Sequence, residues 1–475
     1  MQILSCGAAL VVVASLSAIQ SASAQSLPTE STGVLNKPIE QIPIRVNVDS
    51  GRVKSRKISG QSPDLVFQTE INVSGASWLR LQFDEAQLSG DSKLGDDAFL
   101  WITSLTDGAV QVLNKSDLEK WGYTSAYFNG DRVRVELFAY PNTGDNRLKI
   151  DLVMAGQASD VTPFSLCGAD DRVLSSDPRS ARVLPAQCTG FLIDDQTHNF
   201  LTAGHCSGGL SVVQFNVPMS TEGGVLVNPP PEDQYPVDPA SIQFQFVGIG
   251  QDWSYFGVFA NSNTGLTPFQ AMGSSYQLAS MAPPVNGQSI RITGYGTDTT
   301  PATSNEVQQT SDGPYISESG TIIRYQVDTT GGNSGSPVED LSTGLCIGIH
   351  TNAGCTLSGT GANQGTAIQN ANLQNALSNP IGVAAAPDCN NNGVPDDVDL
   401  AQGAADCNNN GVLDSCEFLG IAGDLDGNNL VDGADLAMLL IQWGANGGPA
   451  DLNNDGAVDG SDLALLLINW GSLCS

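Results

Sequence analysis

Three segments carry residues with chemistry to offer. "LTAGHC" holds His205, "QDWSYFGV" holds Asp252 and "TTGGNSGSPV" holds Ser334. A serine hydroxyl is a poor nucleophile until a base takes its proton. Histidine does this near neutral pH, and a buried carboxylate fixes its tautomer and steadies its cation. Glycines before Ser334 let the backbone turn the N–H groups of Gly332 and Ser334 toward a developing oxyanion. One such donor is worth about 3 kcal/mol in the transition state. Together these residues point to acyl transfer. Asp194 and Asp195 are rival carboxylates, but "DWS" opens an apolar strand, which suits a buried acid.

A second histidine to consider is His350, in "GIHTNAGC", at the end of the apolar run "GLCIGI". It is a base, a metal ligand, a specificity element or a satisfied core residue. Once His205 is assigned, a second base is unnecessary. No partner His or Cys lies at metal-ligand spacing.

The elements that must position these residues are strands. From about Ser165 to Ile381 the chain is rich in Gly and Thr, with turn residues between short apolar runs, and all three histidines fall there. "QNANLQNALSN" reads as a short amphipathic helix closing this region, and "GVAAAP" as a linker. Upstream, "WLRLQF", "AFLWIT", "RVRVELFAY" and "RLKIDLVM" alternate as strands of a β-sandwich at 61–160. Residues 25–60 read as a polar linker or arm.

"CTGFLI", "LTAGHC", "TTGGNSGSPV" and "IGIHTNAG", with "DDR" at Asp170 to Arg172, resemble a chymotrypsin-fold serine protease, most closely the bacterial glutamyl endopeptidases. The order His205, Asp252, Ser334 agrees. The resemblance implies a two-barrel, trypsin-like protease domain over 161–382, no catalytic cofactor and a secreted serine endopeptidase that cuts after Glu or Asp. It also implies a Cys188–Cys206 disulfide beside His205, and Cys167 with Cys355 as a second pair. Cys346 is either a buried free thiol or paired. By the same resemblance His350 and Thr329 line the specificity pocket, where an imidazole N–H and a hydroxyl donate to an acidic side chain. Two departures stand against the pattern. Asp328 lies where an aspartate selects Lys or Arg in trypsin-like enzymes, which leaves basic selectivity as an alternative. Asn333 replaces the aspartate that pairs with a new N-terminus in many animal enzymes. The sandwich is a candidate pro-region, removed near Phe164 or Ser165.

After Pro387 four acidic loops recur in register. Each places oxygen ligands at EF-hand-like positions 1, 3, 5, 9 and 12. They are Asp388, Asn390, Asn392, Asp396 and Asp399; Asp406, Asn408, Asn410, Asp414 and Glu417; Asp424, Asp426, Asn428, Asp432 and Asp435; and Asp451, Asn453, Asp455, Asp459 and Asp462. The first two, at 387–419, resemble thrombospondin type 3 repeats. The last two, at 420–475 with the helices "LAMLLIQWG" and "LALLLINWG", resemble a dockerin domain. Structural Ca2+ is the expected cofactor, and a cohesin-like or surface partner the expected contact.

The chain's formal net charge of −31 disfavours nucleic acid and anionic lipid as partners. Fourteen Asp, one Glu and no Lys or Arg follow Pro387, so about half of that charge sits in the last fifth of the chain. Residues 1–24 read as a secretory signal whose apolar run is too short to span a membrane. Secretion, with retention at the cell surface as an option, follows. The expected fold is thus mainly all-β: a β-sandwich, a two-barrel domain and a small α-helical, EF-hand-like calcium module. A catalytically inactive, protease-like calcium-dependent binding protein is the rival reading.

Overall fold

The computed structural model describes residues 11–14, 41–57, 62–92, 94–156, 165–387, 389, 396–401, 403–404, 413, 423–426, 431–453 and 455–471. Two compact units divide the chain, Met1–Ala385 and Ala386–Ser475. No helix among the described residues is long and apolar enough to cross a membrane. The expected signal lies outside the described residues apart from Val11–Ala14, which is extended.

Two layers form the sandwich, antiparallel except where Val11–Ala14 pairs parallel with Asp64–Val73 at the edge of the first. One runs Asp64–Val73, Arg132–Ala139, Phe99–Ser104, Val110–Leu113; the other Gln41–Asp49, Arg147–Gly156, Trp78–Gln82, Phe128–Asn129. Alternation drives the packing: Leu100 and Ile102, Val133, Val135 and Leu137, and Leu148 and Ile150 all point inward and are fully buried. Gln41–Asp49 corrects the expected arm. Its Val46 and Val48 are buried, so it belongs to the second sheet. Pro43 masked the strand in the sequence; Gln41–Asp49 is an edge strand, where proline is tolerated.

Two seven-stranded sheets follow. The first runs Gln234–Pro236, Leu210–Gln214, Ser180–Pro185, Cys188–Leu192, Phe200–Thr202, Gln251–Phe256, Gln243–Gly248. The second runs Val173–Leu174, Gln309–Ser319, Ser289–Gly294, Pro337–Asp340, Leu345–Asn352, Asn363–Ala367, Ile322–Tyr325, and its last strand pairs back to Gln309–Ser319. Both are barrel-like. Helix Ala371–Ser378 closes the region, its first turn capped by the Asn370 side chain. The expected linker "GVAAAP" is partly docked instead. Gly382–Ala384 is a 3-10 turn, Ala384 is buried, and the Val383 N–H donates to Asp238.

The second unit contains helices Gly433–Ile441 and Gly460–Ile468, each opened by a capping box, Asp432 with Asp435 and Asp459 with Asp462. Val431, Leu439, Ala450, Val458 and Leu466 form its core.

Candidate active site

His205 stands on a short 3-10 turn, Gly204–Gly209, directly after strand Phe200–Thr202. Asp252 is the second residue of strand Gln251–Phe256 and is buried. Its Oδ2 lies 2.7 Å from His205 Nδ1, and its Oδ1 accepts the His205 backbone N–H at 2.9 Å. That arrangement leaves Nε2 as the ring's reactive nitrogen. It is buried and has no hydrogen-bond partner among the described residues. Thr366 holds the Asp252 backbone in turn, its hydroxyl donating to the carbonyl at 2.8 Å. The rival carboxylates are engaged elsewhere. Asp195 accepts from Asn199 and the Tyr255 hydroxyl, and Asp194 is exposed beside His198.

Ser334 lies in a tight turn whose backbone is clamped on both sides. Thr189 donates its N–H to the Ser334 carbonyl at 2.8 Å, and Gly335 donates to the His350 carbonyl at 2.7 Å. Gly332 and Gly335 have φ of 100° and 91°, conformations that disfavour any side chain. A Cβ on Gly335 would lie 2.1 Å from the Thr189 carbonyl and 3.0 Å from the Ala203 nitrogen, so this turn abuts the segment leading to His205. The Asn333 side chain accepts the Thr330 N–H at 3.0 Å and thus braces the loop internally. Arg172, paired with Asp170 and Asp298, donates to the Thr330 hydroxyl at 2.9 Å.

His350 is buried on strand Leu345–Asn352, and its Nδ1 lies 2.8 Å from the buried Tyr325 hydroxyl. Burial, reinforced by the nearby His205, pushes its pKa down to about 3, which keeps the ring neutral. Thr329 is fully buried. Its hydroxyl lies 2.9 Å from the Ser165 hydroxyl and accepts an N–H of Asn363 at 3.0 Å. Asn363 also accepts the N–H groups of Gly354 and Cys355, tying two walls together. Asp328 does different work. Its oxygens accept the backbone N–H groups of Cys167 at 2.6 Å and Asp171 at 2.8 Å, so it anchors the segment entering the domain. Tyr325, Asn363 and Thr366 were missed by sequence reasoning, and no spacing or motif in a single sequence marks them; Arg172 was read only as part of "DDR".

Disulfides join Cys188 to Cys206 and Cys167 to Cys355. Cys346 is a buried free thiol whose pKa burial pushes up to about 12.

In the second unit, ligand oxygens of Asp424, Asp426 and Asp435 all lie within 4.8 Å of one another. That fits oxygen atoms arranged around an ion at 2.3–2.6 Å, and the module has no Lys or Arg to neutralise them. In the last loop Asp451 accepts the N–H groups of Asp455 and Gly456, and the buried Asp462 accepts those of Leu452, Asn453 and Asp459. Asn453 and Asp455 are exposed, joined by a 2.8 Å hydrogen bond, and Asp432 and Asp459 cap their helices. Of the first two loops only Asp396 and Asp399 fall among the described residues. Asp388, Asn390, Asn392, Asp406, Asn408, Asn410, Asp414, Glu417 and, in the third loop, Asn428 lie outside them.

Beside the two barrel-like sheets, residues 188–349 match the model of the trypsin-like peptidase domain. Over 225 residues the chain is 28% identical to the glutamyl endopeptidase of Bacillus licheniformis, across 43% of this chain and 65% of that protein. The chain thus spans less than two thirds of that relative's length. Among solved structures, a Glu endopeptidase in complex with MPD is 22% identical, with a TM-score of 0.34 over 44% of this chain and 96% of its own. A thermostable serine protease from an extremophilic microorganism is 15% identical, with a TM-score of 0.33 over 43% and 98%.

Proposed function

We propose that the chain is a secreted serine endopeptidase that cuts after Glu, with Asp second. The observation that carries the chemistry is the double hold of Asp252 on His205, which leaves Nε2 to take the proton of Ser334. Ser334 Oγ attacks the scissile carbonyl, and His205 then protonates the leaving amine. The backbone N–H groups of Gly332 and Ser334 receive the oxyanion. Acidic selectivity is supported by the neutral, buried His350 beside Tyr325 and by Thr329. Each offers donors, and neither brings a charge that would repel a carboxylate. The use of both Asp328 oxygens by backbone N–H groups weighs against Lys or Arg selectivity. A digest of a peptide library by the purified protein tests the reading. Cuts mainly after Lys or Arg would overturn the specificity, and no cuts that depend on Ser334 would favour an inactive, protease-like binding protein.

For the second unit we propose structural Ca2+ in the acidic loops and a role in attachment to a cohesin-like or surface partner. The converging carboxylates of Asp424, Asp426 and Asp435 support the ion. The exposed Leu440, Ile441 and Trp443, repeated as Leu467, Ile468 and Trp470, support a docking role.

A further inference from the structure

The strands Ser180–Pro185 and Leu210–Gln214 are unusual for a barrel wall, because both of their faces are buried. Ala181 and Val213 point into the barrel core, while Leu184 and Val212 point outward and join the core of the β-sandwich. A barrel strand normally alternates core-facing and water-facing residues. Here the outer face has no water to meet.

The polar contacts across this junction share one design. The Gln234 side chain accepts the Tyr127 N–H at 2.9 Å and donates to the Tyr127 carbonyl at 2.9 Å. Asn263 accepts the Val112 N–H at 2.9 Å and donates to the Val110 carbonyl at 2.7 Å. Asn129, from the sandwich, accepts the Asn228 N–H at 2.8 Å and donates to the Asn228 carbonyl at 2.9 Å. In each case one side-chain amide pairs with a backbone N–H and C=O, as a neighbouring strand would. Each clamp fixes register, and none carries charge. Behind them lies the fully buried Arg182, which donates to Gln214 and Asn228, and Gln214 in turn donates to Gln234. No ion pair recorded among the described residues crosses the junction, and no hydrogen bond among them links the sandwich to His205, Asp252 or Ser334.

We propose that the β-sandwich is a permanent, non-covalently docked part of the two-barrel unit, and that cutting the chain between Gly156 and Ser165 leaves it in place. Releasing it would expose Leu184 and Val212 and strip partners from Gln234, Asn228 and Asn263 at once. Because the clamps are neutral, screening does not weaken them.

The test inserts a recognition sequence for a site-specific protease between Gly156 and Ser165 of the full chain. After cutting, both fragments are expected in one size-exclusion peak at low salt and at about 1 M salt, where charges are screened within roughly 3 Å. Two separate peaks overturn the proposal. The double variant Gln234→Glu, Asn263→Asp replaces N–H donors with oxygens of the same size. Uncut, it is expected to elute as the wild type; once cut, its fragments are expected to separate. If the cut wild type stays together and the cut variant does too, the clamps are not what holds the junction and that part of the proposal falls.

Discussion

Asp252 grips His205 at two points, one oxygen on the ring at 2.7 Å and the other on the backbone at 2.9 Å. The carboxylate therefore sets both the rotation of the imidazole and the position of its chain. Asp252→Asn keeps the shape but offers an N–H where an acceptor is needed. It is expected to lower kcat by about 10⁴-fold. Ser334→Ala is expected to leave only background hydrolysis, with thermal unfolding unchanged for both variants. An Asp252→Asn enzyme within tenfold of wild type would remove Asp252 from this role.

Specificity separates by neighbours. Thr329→Val deletes a hydroxyl from the pocket proposed to take the acidic side chain. A hydrogen bond to a charged group is worth about 1.5–3 kcal/mol, so kcat/KM on Glu substrates is expected to fall by roughly 10- to 150-fold. Asp328→Asn is expected to keep the preference for acidic residues and to loosen the segment at Cys167 and Asp171, seen as faster proteolytic nicking there. A preference that moves with Asp328 instead of Thr329 would reverse the assignment.

Two buried groups pull stability in opposite directions with pH. Burial raises the Glu306 carboxyl from 4.5 to about 7, against the pull of Arg182, and its Oε2 has no partner among the described residues. Folding therefore favours its protonated form, and stability falls as pH rises from about 4.5 to about 7. His350 is depressed from 6.5 to about 3, so folding favours its neutral form, and stability falls as pH drops from about 6.5 to about 3. Between 4.5 and 6.5 the two oppose each other. Glu306→Gln is expected to be more stable than wild type above pH 7 by about 3 kcal/mol. It is also expected to lose stability more steeply on acidification over that shared window. Denaturant unfolding at several pH values measures both; parallel curves for variant and wild type would refute the assignment.

Calcium removal is expected to act locally. A chelator should lower the melting temperature of the second unit and leave that of Met1–Ala385 unchanged, giving two transitions in calorimetry. Asp435→Asn should reduce the calcium-induced rise. A chelator without effect on either transition removes the ion from the account.

The residues proposed for catalysis stand out in the sequence because their chemistry dictates local sequence. A histidine before a cysteine and a serine among glycines leave a mark in any single chain. The barrel strands were legible in outline through apolar runs. The amides that organise the site were not. Asn363 lies in "ANQGT", which reads as an ordinary turn, and its value comes from six partners gathered from separate segments. The sandwich boundary slipped because Pro43 interrupts a strand that alternates correctly on either side of it. The buried outer face of Ser180–Pro185 left a trace in "SARVLP", but only a known neighbour turns an apolar residue into a contact.

The glycines around Ser334 carry a consequence for how this chain can change over generations. A side chain on Gly332 would meet the Tyr295 carbonyl at 2.3 Å, and one on Gly335 the Thr189 carbonyl at 2.1 Å. Apart from the Thr202 hydroxyl at Gly335, both positions face main-chain atoms, which every amino acid shares. No compensating substitution nearby can make room, so these positions have no neutral detour. Variation in the surroundings must be reached through other positions, while the turn holding Ser334 stays closed to exploration.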